Sequence, residues 1–274
     1  KRNGYYYLLT AEGGTQYDHA ATMARSKSID GPYEVDPTNP ILTSNKEDNH
    51  TLQKAGHGSL VETPDGEWYM AHLCGRPVVD KHCILGRETA IQKCYWTDDD
   101  WLRIEGGPFP STVVDAPDLP VFQAKLLPEK DDFNESELAN YWSALRRTFD
   151  GDWFSLTERA GYLRLYGEES MSSLHHQSMM MRRLQDFHVE LETKLDFEPK
   201  HFQQMAGLMI FYDTDDYVYL RITEEEELGK CIGIIESKYG KYDELLSKDI
   251  SLPQGKEVYL KAKIHRHILQ FYYS

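Results

Sequence analysis

The sequence predicts an all-β chain, blade-like sheets followed by an antiparallel sandwich, and three observations carry that prediction. Helix signals are scarce, while short aromatic and aliphatic runs separated by Gly, Pro, Asp and Asn dominate. A turn-and-aromatic unit recurs: Asn3-Gly4-Tyr5-Tyr6-Tyr7-Leu8-Leu9 is echoed, after about sixty residues, by Asp65-Gly66-Glu67-Trp68-Tyr69-Met70-Ala71. In the second half, His188-Val189-Glu190-Leu191-Glu192-Thr193-Lys194-Leu195 alternates with period two, the pattern of a strand with one wet face and one buried face.

The elements follow in order. The first strand runs from Tyr5 into Thr10-Ala11-Glu12, launched by the Asn3-Gly4 turn, and ends on an acid followed by Gly13-Gly14. A carboxylate on such a strand is costly to bury alone, and two glycines let the backbone turn sharply and let a ligand approach. A strand over 20–27 and the turn Asp30-Gly31-Pro32-Tyr33 follow. The second copy is followed in the same way by a strand over 87–96 and by Asp98-Asp99-Asp100-Trp101, a hairpin turn that lacks the spacing of an EF-hand loop. Two blades do not close a propeller, so further blades are expected before Lys1. From Gly106 to Pro128 five prolines break the chain, and we place the domain connection there, with blades over 1–120 and a sandwich over 121–274. Sandwich strands are expected at 162–166, 178–183, 187–197, 206–212, 217–223, 231–236 and 258–264. The terminal run Ile268 to Ser274 reads as a strand without a following partner, so the sandwich is expected to be cut short.

Composition narrows the function. A net charge of -15 argues against binding a nucleic-acid backbone, and no apolar run is long enough to span a bilayer as a helix. The 18 Tyr and 5 Trp suit sugar faces, and they suit sheets equally well. The four cysteines form no CxxC pair, which speaks against a zinc ribbon and for a reducing, cytoplasmic location.

Several segments together resemble the β-xylosidases of glycoside hydrolase family 43 with a C-terminal sandwich: YYYLLTAEGGTQYDHAATMARSKSIDGPYEVD (5–36), LQKAGHGSLVETPDGEWYMAHLCGRP (52–77), LGRETAIQ (85–92) and LRLYGE (163–168). The resemblance implies a five-bladed propeller, here partial, followed by a concanavalin-like antiparallel sandwich. It also implies release of xylose from the non-reducing ends of xylo-oligosaccharides with inversion, no cofactor for the chemistry, and a homo-oligomer when complete. It assigns the general acid to Glu12. It places His57 at the pocket bottom, near a divalent cation (calcium) that some members hold, and gives Arg87 to the sugar hydroxyls. The family's base and pKa-setting aspartates have no counterpart in this chain, which is therefore expected to be inactive alone.

Read without the resemblance, His57 is equally a histidine satisfied by backbone in a turn. Arg87 is equally half of an ion pair, although strand alternation keeps it from pairing with Glu88. Asp18 and His19 are candidates for lining the site. His175-His176 reads as surface loop, Met179 to Met181 as core strand and Glu224 to Glu227 as a solvated turn, while His265 and His267 lack a third metal ligand. Two other functions stay open: an α-L-arabinofuranosidase of the same family, and a non-catalytic glycan-binding module.

Overall fold

The computed structural model describes residues 1–274. The chain is all β, without a helix, and divides into two compact units, Lys1–Gln123 and Ala124–Ser274.

In the first unit β1 (Tyr6–Glu12), β2 (Ala20–Ser26), β3 (Glu34–Val35) and β4 (Leu42–Thr43) make one four-stranded antiparallel sheet, with β3 and β4 both on β2. β5 (Gln53–Glu62), β6 (Trp68–Gly75), β7 (Glu88–Trp96) and β8 (Leu102–Ile104) make a second, as a meander. The repeated turn-and-aromatic unit marks equivalent hairpins, β1–β2 and β6–β7. The sheets pack on each other through Ala21, Met23 and Leu42 from the first and Ala55, Met70, Trp101 and Leu102 from the second. Small residues beside long ones let the faces interdigitate at interior density.

The Asp98 to Asp100 run is the turn between β7 and β8, and it fastens the two sheets together. Asp100 accepts from Arg2 and from Asn3 Nδ2 (2.7 Å), and its carbonyl accepts the Tyr7 hydroxyl (2.7 Å). Nearby, Arg103 grips the buried Asp36 with two bonds of 2.6 and 3.1 Å.

β5 is not a regular strand. Its register against β6 slips between Gln53 and Gly56 and again between Gly56 and Ser59. Lys54 (φ 58°) and His57 (φ 53°), both left-handed, occupy the slips. These are β-bulges, which bend a strand and re-aim its side chains.

The second unit carries two-stranded pairs first. β9 (Ser143–Ala144) pairs with β12 (Met180–Met181), and β10 (Phe154–Ser155) with β11 (Arg164–Leu165). The longer strands expected over 162–166 and 178–183 are therefore only two residues each, and Met179 is the buried member of the methionine run. Side chains hold this region where the ladders are short: Asp131 accepts from both Tyr141 and Trp142 Nε1, at 2.7 Å each.

The sandwich proper has two sheets. β13 (His188–Leu195) enters the first. β14 (Ala206–Phe211), β15 (Tyr217–Glu225), β16 (Gly229–Lys238), β17 (Lys241–Glu244) and β18 (Ile250–Ser251) form the second. β19 (Val258–His265) and β20 (Ile268–Tyr273) complete the first in the order β13-β19-β20. Leu220, Ile222 and Ile232 of one sheet meet Val258 and Leu260 of the other in the core. Alternation along β13 is as read from the sequence, and its wet face is an ion-pair ladder. Glu190 is flanked by Lys261 (2.6 Å) and Lys263 (2.8 Å), whose hydrogen bonds hold its carboxyl down at about 2. His265 faces His188 across the strands, with ring centroids 4.5 Å apart, while His267 sits in the β19–β20 turn.

Candidate active site

Glu12 is the last residue of β1, and its carboxyl stands exposed at the end of the strand. Alternation puts Thr10 and Glu12 on one face of β1; across the hairpin, Thr10 pairs with Thr22 and Glu12 with Ala20. Ala20 has no polar side-chain atom, so the diagonal neighbour supplies the contact: Thr22 Oγ1 donates to Glu12 Oε1 at 2.9 Å.

The loop after the acid closes only on glycine. Gly13 has φ +72°, and a Cβ there would lie 2.3 Å from the Asp18 carbonyl oxygen. Tyr17 then ties the loop to the neighbouring sheet: its hydroxyl donates to the Lys81 carbonyl at 2.6 Å, and the ammonium groups of Lys54 and Lys81 each lie 5.0 Å from its ring centroid. Cations over an aromatic face are attracted to its quadrupole.

His19 lies beneath this loop, 1% exposed. Its Nδ1–H donates to the Lys54 carbonyl at 3.1 Å, so Nε2 carries no proton in the neutral ring. Burial pushes its pKa down; the Lys54 carbonyl opposes this, and the charges of His57 and Arg87 push it further down. His19 is thus buried below the site, not on its lining. Asp18 is exposed, and its charge reaches His19.

His57 and Arg87 come together in a groove of about 260 Å³ shared with Ser59, His72, Glu88 and Thr89. His57 reaches it because the second bulge of β5 re-aims the side chain. Its flanking glycines serve neighbours more than a ligand. A Cβ at Gly56 would fall 2.5 Å from the His19 ring, and one at Gly58 would fall 2.5 Å from Met70 Sδ. Arg87 stands exposed just before β7, after Gly86 (φ +69°). Glu88 is gripped bidentately by Arg76 at 2.7 and 3.1 Å. The groove-lining residues do not include Glu12, which the register places on the adjoining sheet.

His72 and Gln92 were not singled out in the sequence. His72 is buried, donates from Nδ1 to the Leu73 carbonyl (3.0 Å), and meets the Gln92 amide at 3.4 Å through Nε2. Gln92 in turn clasps Ser111 with bonds of 3.0 and 2.8 Å. Burial lowers the His72 pKa and so favours the neutral ring, which is hydrogen-bonded through both nitrogens. Only period-two counting along β6 and β7 could have pointed to them.

The residues do not fit a calcium ion held by this chain. Calcium takes six to eight oxygen ligands. No three His, Cys, Asp or Glu side chains converge here, the one groove carboxylate is engaged by Arg76, and a guanidinium stands beside His57.

A larger hollow of about 680 Å³ lies on the second unit, among Phe149, Phe154, Glu158 and Tyr166. Glu158 there is committed to the Tyr166 hydroxyl and to Arg164 (3.1 Å), so it is not placed for acid or base work.

Comparison with known proteins gives the chain a place. Residues 1–102 match the family model "Glycosyl hydrolases family 43", and residues 130–274 match "Beta xylosidase C-terminal Concanavalin A-like domain". The chain is 45% identical to a "Beta-xylosidase" of Bacillus subtilis (strain 168), over 98% of this chain and 52% of the relative. A crystal structure of xylan beta-1,4-xylosidase from Bacillus halodurans C-125 superposes with a TM-score of 0.98 at 58% identity, over 100% of this chain and 53% of that one. A "Non-reducing end alpha-L-arabinofuranosidase" of Bacteroides ovatus is 36% identical over 86% of this chain and 44% of its own length. The chain spans about half the length of the curated relatives it matches. Its two units carry the family's hydrolase and concanavalin A-like domains in that order, and the chain belongs to glycosyl hydrolase family 43.

Proposed function

We propose that the protein carrying this chain removes xylose from the non-reducing ends of xylo-oligosaccharides by an inverting mechanism, with Glu12 as general acid. The observation that supports this most is the placement of Glu12: a carboxyl projected from a rigid strand end, oriented through Oε1 by Thr22. An inverting glycosidase needs a protonated acid at the leaving oxygen and a carboxylate base across the ring, about 6.5–9.5 Å away, holding water. Glu88 is bound by Arg76 and is not that base. In this reading the base stands on a part of the protein beyond residues 1–274. The chemistry uses no cofactor. The names of the relatives favour xylose, and the free thiols Cys74, Cys83, Cys94 and Cys231 favour a reducing compartment.

Arg87 and His57 bind the sugar in this reading. A guanidinium offers a fixed fork of donors to hydroxyls and stays charged in a closed site. In the complete protein, Arg87→Ala is expected to raise KM and lower kcat together for xylobiose, by about 1.5–3 kcal/mol for each charge-assisted bond lost. Unchanged kinetics would remove Arg87 from the site.

The Bacteroides ovatus relative supports a second reading, an α-L-arabinofuranosidase. Parallel assays with 4-nitrophenyl β-D-xylopyranoside and 4-nitrophenyl α-L-arabinofuranoside decide between them. The xyloside is expected to give the higher kcat/KM, and the reverse order overturns the xylosidase reading.

A further inference from the structure

We propose that Thr22 is a positioning residue for the general acid: it fixes which carboxyl oxygen of Glu12 carries the proton, and Thr10 holds it in that role. The inference rests on Glu12 being the acid. It is carried by a directional chain of three side chains on one face of the β1–β2 hairpin.

Thr22 is buried and its hydroxyl needs a partner. It lies 2.9 Å from Glu12 Oε1 and 2.6 Å from Thr10 Oγ1. An ionised carboxylate only accepts, so the single hydroxyl hydrogen of Thr22 points at Glu12. The Thr10 hydroxyl must then donate to Thr22. With Glu12 ionised the order runs Thr10 to Thr22 to Glu12, and each bond in such a chain polarises the next.

The terminal torsion of a Glu side chain is soft and roughly two-fold. An exposed carboxyl would rotate and present either oxygen. A donor held against Oε1 stops this, and β-branching stiffens the donor itself. In the proposed acid form that order is kept: Thr22 donates to the carbonyl-like Oε1, and the acidic proton is carried on Oε2. In the reaction that proton passes from Oε2 to the glycosidic oxygen as the bond from the anomeric carbon to that oxygen breaks. The bonding pair stays with the oxygen. Water, deprotonated by the base, forms the new bond to the anomeric carbon, and Glu12 is left as a carboxylate. The Thr22 bond to Oε1 is then a bond to a charged group and strengthens as the charge appears, the condition for lowering a barrier.

The test, in the complete protein, is Thr22→Val, which keeps shape and branching but removes the donor. A hydrogen bond to a charged group corresponds to about a 10- to 100-fold effect. With xylobiose, kcat is expected to fall by about that factor while KM stays within about twofold. With 2,4-dinitrophenyl β-D-xyloside, whose leaving group needs little protonation, the loss is expected to be small. Thr22→Ser is expected to restore most of the xylobiose rate, which a packing defect would not allow. Thr10→Val removes only the second donor and is expected to show the same pattern more weakly; it serves equally if Thr22→Val does not fold. Wild-type xylobiose turnover in Thr22→Val, or equal losses on both substrates, overturns the inference. Glu12→Ala in the same assays separates the two readings. If it discriminates between leaving groups and Thr22→Val does not, only the positioning role fails. If Glu12→Ala does not discriminate, the acid assignment itself fails.

Discussion

In the complete protein, Glu12→Ala is expected to all but abolish hydrolysis of xylobiose and to cost far less with 2,4-dinitrophenyl β-D-xyloside. The difference follows from the leaving groups. A sugar alkoxide is a poor leaving group, and its departure depends on proton donation in the transition state, worth typically about 10²–10⁴-fold. A dinitrophenolate departs as an anion. The basic limb of the pH–rate profile for the activated substrate should also flatten in the variant, because ionisation of the acid no longer limits the rate. A variant lacking the base would behave otherwise, losing both substrates alike, since water must be activated in either case. Equal losses with Glu12→Ala would take the acid role away from the strand end of β1.

Much of this site was legible before the structure because its chemistry is local. An acid closing an aromatic strand, with glycines after it, announces both a carboxyl and a turn, and the structure gives Gly13 a positive φ that no side chain would fit. The arginine before β7 and the histidine between glycines were also visible. The hidden parts depend on register. Thr22 follows Glu12 by ten residues, and only the pairing of Thr10 with Thr22 makes it the acid's neighbour. His57 owes its direction to the second of two bulges, and the first is marked only by Lys54, a type that does not advertise a left-handed backbone. The glycines around it leave the room that His19 and Met70 occupy.

In the sandwich the same limit applied in a different form. The longer apolar runs gave β13, β14, β15, β16 and β19 close to their observed bounds, whereas β17 and β18 were not expected. The runs at 162–166 and 178–183 hold apolar residues but pair over only two residues each, because aromatic and acidic side chains such as Trp142 and Asp131 fix that region in place of a ladder. The buried charges of the second sheet gave no local signal. Lys230 is 1% exposed and is satisfied by Glu198 (2.6 Å) and the Lys256 carbonyl (2.9 Å), partners 32 and 26 residues away.

The second of these buried charges carries the largest stability effect expected in the chain. Arg221 on β15 is 2% exposed, and its guanidinium bonds Asp249 at 2.8 Å and Glu244 at 3.3 Å. The Asp249 side chain is 8% exposed and packs so tightly over β16 that a Cβ at Gly233 would fall 2.1 Å from Oδ1. Arg221→Ala would leave that carboxylate with the weak Cys231 thiol donor at 3.5 Å and no cation against it. Breaking one side of a buried pair typically costs about 3–5 kcal/mol, much of a domain's stability of about 5–15 kcal/mol. Half-exposed Glu244 is solvated and adds little. Hydrogen exchange of the β15 and β16 amides should accelerate by roughly 10²-fold or more in Arg221→Ala. Asp249→Ala should also destabilise, because it strands the cation. The double variant Arg221→Met with Asp249→Ala removes both charges and should recover a substantial part of the loss, since an apolar pair of similar volume carries no desolvation penalty. If Arg221→Ala exchanges like the parent, water reaches Asp249 and the pair is not the lock between β15, β16 and the β17–β18 connection. If the double variant is no better than the single, the cost lies in lost packing of the arginine stem and not in the stranded carboxylate.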